Sequence, residues 1–142
     1  MKIVNYEGTN LYVNSIIPFT GYLAMMLFGL IFYRKEYSKY LESPIYRNYI
    51  MKMINHENIH KEQIKDFAPF LKWCPFLQLL IGGIIFYLIY FFEWVIRLFI
   101  NGPKNAYKNI SFEKEAYNNE LDFEYIQKKR KSFNQWHKSQ EG

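Results

Sequence analysis

Long apolar runs alternate along this chain with segments rich in Lys, Asn, Glu and Tyr, and the alternation divides it into successive elements. Residues 1–12 read as a short extended start with a turn at Glu7-Gly8. The first apolar run, Ile16-Ile17-Pro18-Phe19-Thr20-Gly21 and then 22–33, is closed by Arg34-Lys35. At about 18 residues it stands near the lower limit for a membrane-spanning helix. It equally fits two short buried strands broken at Gly29, with Pro18 and Gly21 marking the preceding turn. After a polar, tyrosine-rich connector, Ser43-Pro44 predicts a helix start, with serine as N-cap and proline at the first helical position. Ile45, Tyr49, Ile50, Met53 and Ile54 follow at helical spacing, so a helix is expected over 43–66, ending before Pro69. The segment 67–102 is the most hydrophobic. Pro69 and Cys74-Pro75 interrupt its start, and 76–92 is then apolar except for Gln78, with Gly82-Gly83 in the middle. Glu93 and Arg97 follow at the spacing of a helical ion pair. On length this segment is a spanning-helix candidate, and it also fits a re-entrant hairpin turning at Gly82-Gly83 or a helix lying in an interface or a core. Asn101-Gly102-Pro103 ends it, and Ser111 predicts the N-cap of a last helix over 111–131, followed by a tail at 132–142. The expected fold class is α+β, mainly helical, in a single domain with a short β element over 1–35.

Composition narrows the picture. The 142 residues suit one domain with a real core. Half of them are hydrophobic and the mean hydropathy is -0.24, an ordinary average that hides the segregation expected of a protein touching a bilayer. A net charge of +5 and a pI near 9.2 favour anionic surfaces. Lipid headgroups fit this better than nucleic acid, for which no module is recognisable. Cys74, the single cysteine, excludes an intrachain disulfide and leaves the compartment undecided; it reads as a small buried hydrophobe rather than a ligand. Residues 1–11 are polar, so no amino-terminal signal peptide is expected. The run Lys128-Lys129-Arg130-Lys131, with Phe133 and Trp136 after it, reads as a solvated helix end, or next as a membrane-surface contact.

Chemistry enters at Asn55-His56-Glu57-Asn58-Ile59-His60-Lys61-Glu62-Gln63, which contains an HExxH motif. Positions four apart share a helix face, so His56 and His60 can present two imidazoles to one metal ion, and Zn2+ suits such a pair. Glu57 lies beside the ligands without pointing at the metal, the place of the general base in a zinc-dependent peptide hydrolysis. Gln63, three residues after His60, is placed to reach near the site, but reads first as a polar surface residue. Two histidines need a third ligand, and Glu113 and Glu115 in the first turn of the last helix are acidic candidates. The helix dipole alone favours acidic residues there by about 0.3 to 1 kcal/mol each. A peptidase site also needs an exposed strand beside the metal helix to hold substrate backbone, which favours strands over a spanning helix for 22–33.

Ser111-Phe112-Glu113-Lys114-Glu115-Ala116-Tyr117 resembles the FExxA(D) signature of gluzincins, zinc peptidases in which a glutamate on a later helix completes an HExxH site. The order of segments is most similar to membrane-integrated CAAX-processing and heat-shock zinc peptidases, and to small bacterial HExxHxxQ proteins. The resemblance implies a zincin-like core, Zn2+ held by His56, His60 and Glu113, and Glu57 as catalytic base. Ala116 is then the small residue that lets two helices approach. Glu115 is the alternative third ligand, and Glu120 lies further along the Glu113 face. Tyr117 stands where the family often has an aspartate buttressing a ligand histidine; it is also a guess for an oxyanion donor. The implied protein is a membrane-associated zinc metallopeptidase, placed at the bacterial inner membrane, with a peptide or protein substrate and membrane lipid as partners. The alternatives are a zinc-binding but inactive relative and a small membrane interaction protein with an accidental motif. If a residue beyond Gly102 binds the metal, one complete crossing by 67–102 would leave it on the wrong side of the membrane.

Overall fold

Two tight hairpins build the amino-terminal sheet. In this computed structural model, which describes residues 1–141, β1 (Lys2–Tyr6) pairs antiparallel with β2 (Thr9–Asn14), and β3 (Ala24–Leu27) with β4 (Leu30–Arg34). β2 and β4 run parallel, giving the order β1-β2-β4-β3 and leaving β3 at an edge. Both hairpins turn through two residues with positive φ, Glu7 (45°) and Gly8 (87°), then Phe28 (49°) and Gly29 (83°). That pair of left-handed conformations matches the twist of the strands. Phenylalanine is an unfavourable residue for such a turn. Phe28 is held there by its ring packing edge-on to Tyr87, at 5.3 Å between centroids. The apolar run 22–33 is therefore a hairpin broken at Gly29, and not a spanning helix.

The other regular elements of the described chain are helices, so the class is α+β with a four-stranded mixed sheet. α1 (Arg47–Asp66) follows a single 3-10 turn at Pro44–Tyr46. Ser43 precedes that turn, as expected of a cap, but its hydroxyl makes no capping bond. α1 buries Ile50, Ile54 and Ile64 in the main core and Ile59 in a small second cluster against α3, with His56, His60 and Gln63 buried on the arc between them and Asn55 buried beyond Ile59. α2 (Pro75–Asn101) is one continuous helix of 27 residues, about 40 Å long at 1.5 Å per residue. The chain does not reverse at Gly82-Gly83, because these glycines serve close packing instead. A methyl group at Gly82 would collide with the carbonyl oxygen of Ile64 on α1, and one at Gly83 would meet the Phe28 ring. α2 is long and apolar enough to cross a membrane, yet only 17% of its most apolar window is buried in the protein.

The predicted last helix divides in two. α3 (Ser111–Asn119) ends where Asn118-Asn119 weakens helix propensity. The Asn55 side-chain amide takes up carbonyls freed there, donating to the oxygens of Asn119, Glu120 and Asp122. A π turn at Tyr125–Lys129 follows, and residues 133–141, expected as a tail, form α4 (Phe133–Glu141). Phe133 anchors it, stacking at 4.3 Å on Phe112 within a core that includes Leu11, Tyr33, Ile50 and Phe86. Ser111 begins α3, but its hydroxyl and its amide both donate to Glu93 Oε1 on α2. The Glu93–Arg97 pair forms at 3.2 Å, as its spacing suggests. Arg130 departs from the expected solvated basic run: its side chain is buried, bonded to Asp66 and Glu115.

The Gly82 contact is testable. Gly82→Ala gains about 1 kcal/mol of helix propensity but overpacks a backbone carbonyl, a change that typically costs about 1 to 3 kcal/mol. Urea unfolding is expected to show a net loss of stability for Gly82→Ala, and a smaller one for Gly83→Ala, where a side chain can give way.

Candidate metal centre

α1 and α3 together converge three ligand-type side chains on one point. One turn of α1 separates His56 from His60, and their Nε2 atoms lie 3.2 Å apart. Glu113, from the first turn of α3, reaches both: Oε2 is 3.3 Å from His56 Nε2 and Oε1 is 3.3 Å from His60 Nε2. All three are buried and form a candidate metal-binding site. The approach of α3 to α1 runs through Ala116 and Ile59, both fully buried in one small cluster.

The hydrogen bonds behind the imidazoles fix which nitrogens face the centre. His56 Nδ1 lies 2.9 Å from Glu120 Oε2, whose other oxygen takes Lys52 at 2.8 Å. His60 Nδ1 lies 2.7 Å from Gln63 Oε1. The Gln63 amide is itself oriented, since its Nε2 donates to the Phe112 carbonyl and to Glu115 Oε2. Carboxylate and amide oxygens only accept, so each Nδ1 carries its hydrogen, and in the neutral form of each imidazole Nε2 presents a lone pair inward. Two lone pairs at 3.2 Å beside a carboxylate repel one another unless a cation stands among them. Glu113 Oε2 adds a second sign of this: it is buried and has no hydrogen-bond partner among the described residues. Oε1 is spoken for, accepting from the Tyr90 hydroxyl at 2.8 Å.

The spacing fits a small tetrahedral ion. Ligand atoms bound at about 2.0 to 2.1 Å in a tetrahedron lie about 3.3 Å from one another; here the two Nε2 atoms are 3.2 Å apart and each lies 3.3 Å from a different oxygen of Glu113. Three protein ligands leave a fourth position open. His60 and Glu113 line one wall of a cleft of about 440 Å³ that also holds Glu57. The Glu57 carboxylate accepts a hydrogen bond from Met26 N–H of β3 at 2.9 Å. Burial pushes its pKa above the usual range, against the pull of His60 and His56. The rest of the cleft is largely apolar and aromatic, with Phe86, Tyr90, Trp94 and Tyr107 among its walls.

Other acidic candidates take supporting places. Glu115 turns away from the centre and is fully buried, accepting from Gln63, from the Tyr125 hydroxyl and from Arg130. Glu120 stands behind His56. Its carboxylate orients the His56 ring from behind. Tyr117 sets its ring edge-on against His56, at 4.8 Å between centroids, while Tyr90 and Tyr107 line the cleft. Gln63 is not a surface residue: its exposure is 0%. Its spacing three residues after His60 carried that signal, since i and i+3 side chains meet on a helix. Nothing in the local sequence pointed to Tyr90, which lies 23 residues from Glu113 and is brought to it by packing. Cys74 is half-buried at the start of α2 and belongs to no ligand cluster found among the described residues. Comparison with protein-family models, with curated proteins and with solved structures returns no match for the chain.

Two predictions follow from this geometry. Metal content is expected to fall from about one ion per chain to none in His56→Ala or His60→Ala. In Glu120→Ala the ion is retained with affinity weakened roughly 10- to 100-fold, the usual effect of removing a ligand's orienting partner. Elemental analysis and competitive chelation distinguish these outcomes.

The second concerns protons. Burial pulls the His60 pKa down, but the Glu113 carboxylate outweighs it and raises the value from 6.5 to about 9 in the metal-free protein. Glu113 moves the other way: burial raises it, while His60 and His56 hold it well below the usual carboxylate range. The raised histidine stabilises the metal-free fold below its unfolded value of 6.5, and that contribution is lost as pH rises through about 9. The lowered carboxyl contributes above its unfolded value of 4.5 and is lost in acid below it. At pH 7.5 an incoming cation therefore displaces a proton from His60. Calorimetric titration in two buffers of different ionisation enthalpy is expected to give about one proton released per metal bound, falling as pH rises beyond 9.

Proposed function

We propose that this chain is a membrane-associated zinc metallopeptidase of gluzincin type. The observation that carries the reading is the convergence of two imidazoles and a carboxylate on one buried point, with the half-buried Glu57 carboxylate in the cleft that His60 and Glu113 line. Structural zinc sites fill all four positions with protein ligands, whereas hydrolytic sites keep one for water. Two imidazoles and a carboxylate suit zinc over a hard cation such as Mg2+ or Ca2+, which takes oxygen ligands. The likeness of 111–117 to FExxA(D) supports the same assignment of His56, His60 and Glu113.

Bound zinc would supply Lewis acidity at a scissile carbonyl and at the attacking water. Glu57 accepts the proton of that water and passes it to the departing amine. Its raised pKa brings it nearer the operating pH, which suits a group that must take a proton and then give it up. Met26 N–H fixes one Glu57 oxygen and leaves the other for the water. The hydroxyls of Tyr90 and Tyr107 stand beside Glu113 and are kept protonated by burial and by that carboxylate, so they serve as donors at the cleft wall.

Substrate backbone has a place to lie. β3 is an edge strand, and alternation along it turns the backbone groups of Ala24 and Met26 away from β4. Those of Met26 are engaged by Glu57 and by the Tyr87 hydroxyl. An extended peptide entering the cleft would meet Ala24 next. Membrane association is supported by the length and apolar composition of α2 and by the net charge of +5.

The decisive comparison is wild type against Glu57→Gln, each loaded with zinc and incubated with an unfolded protein substrate in the presence of phospholipid vesicles. Both are expected to hold one zinc. The variant is expected to lose hydrolysis by roughly 10²- to 10⁴-fold, the contribution typical of general acid–base catalysis. Equal metal content with equal proteolysis, or none in either, points instead to a metal site used structurally.

A further inference from the structure

The outer face of α2 is left uncovered by the rest of the protein. Its exposed positions Ile81, Leu88, Phe92 and Phe99 recur at steps of seven and four residues, so they form one apolar stripe along the helix, with exposed Ile84 and Ile96 on its flanks. The stripe covers about 27 Å at 1.5 Å per residue. Every polar side chain of the helix up to Arg97 turns inward. Gln78 donates to the Lys65 carbonyl, and Glu93 takes Arg97 and Ser111. Exposed lysines stand at the two ends, Lys72 beside exposed Trp73 and Phe70, and Lys104 beyond Gly102. An uncharged stripe bracketed by cations and an aromatic residue matches the layering of an anionic bilayer surface, hydrocarbon beneath and phosphate above.

A crossing is inconsistent with what packs on the opposite face. α1 lies against α2 along the stretch where Ile64 meets Gly82 and His60 meets Phe86. The solvent side of α1 at that level carries Lys61, Glu62 and Lys65. Were α2 to run through the bilayer, these charges would be submerged with it. Lying flat, α2 puts only its stripe into lipid.

We propose that α2 lies in the plane of an anionic membrane as a monotopic anchor, and that this posture sets the mouth of the metal cleft among the acyl chains. The link is in the rim. Phe19, Tyr22 and Phe91 line the cleft and are also exposed, at 75%, 49% and 55%. Phe91 sits beside the stripe on α2. The cleft and the lipid-facing surface are thus continuous. The class of substrate follows, on the strength of the peptidase reading: a peptide segment whose apolar side chains are already inserted in the membrane surface.

Depth measurement by spin labelling tests this in the full-length protein. Single cysteines replace Ile81, Leu88, Phe92, Phe99, Phe19 and Asn58 in a Cys74→Ala background. Each is labelled with a nitroxide on vesicles of equimolar phosphatidylcholine and phosphatidylglycerol. The four α2 labels and the one at 19 are expected at one shallow depth, with the label at 58 in water. Labels deepest at 88 and 92 and shallow at 81 and 99 mean a crossing and overturn the proposal. Labels that stay out of lipid, or that couple to one another between copies, assign the stripe to a protein interface and overturn it too. With active protein, a peptide carrying an apolar anchor in the same vesicles should be cleaved at least 10-fold faster than its anchor-free form. Equal rates refute delivery from the membrane, while leaving the Glu57→Gln comparison to judge the peptidase reading separately.

Discussion

Three electron-pair donors aimed at one buried point repel each other unless a positive charge stands between them, and this chain builds such a point with care. Glu120 and Gln63 hold the two imidazoles so that their free nitrogens face inward, and Tyr90 holds one oxygen of Glu113 so that the other does. The support extends further. Gln63 is fixed by Glu115, Glu115 by Tyr125 and Arg130, and Arg130 by Asp66, which closes the loop back onto the helix that carries the histidines. A buried network of this kind adds little stability over an apolar core and is costly to break. Its effect here is to orient ligands. In the metal-free state a proton shared by His60 and Glu113 supplies the positive charge, and a metal ion replaces it.

The helix that follows the motif reconciles two demands. It has to cover the centre, contributing Phe86 and Tyr90, and it has to allow α1 to lie close, which Gly82 does by offering no side chain to the Ile64 carbonyl. Its other face is left apolar over its whole length. Each charge placed at the centre of a bilayer costs about 2.5 to 3.5 kcal/mol on insertion scales. The cluster of Lys61, Glu62 and Lys65 at the level of the α2 glycines therefore weighs heavily against a crossing. The topological difficulty raised by a third ligand beyond Gly102 disappears with it: the chain after α2 doubles back along the protein side, bringing Glu113 level with Tyr90.

Much of this was legible from residues alone, because the signals were local. The turns at Glu7-Gly8 and Gly29, the helical spacing of Ile50 and Ile54, and the HExxH pair all depend on near neighbours. The division of the last helix was not, since its stop at Asn119 is stabilised by Asn55, 64 residues earlier in the chain. Arg130 misled in the same way: inside a run of lysines it looks solvated, and only the fold brings Asp66 and Glu115 to it. Apolar periodicity left the role of 76–92 open between hairpin and helix. Two adjacent glycines look like a turn until a close partner such as Ile64 is seen to require one of them. Gln63 and Glu120 were visible as polar residues near the motif, but their work behind the imidazoles depends on which way α3 and its exit loop pack.

X-ray absorption at the zinc edge of the zinc-loaded protein tests the central claim most directly. The account predicts a four-coordinate ion with nitrogen and oxygen neighbours at about 2.0 to 2.1 Å, and outer-shell scattering from two imidazoles. A sulfur neighbour near 2.3 Å, which only cysteine or methionine could provide, or a six-coordinate shell without imidazole, would contradict it.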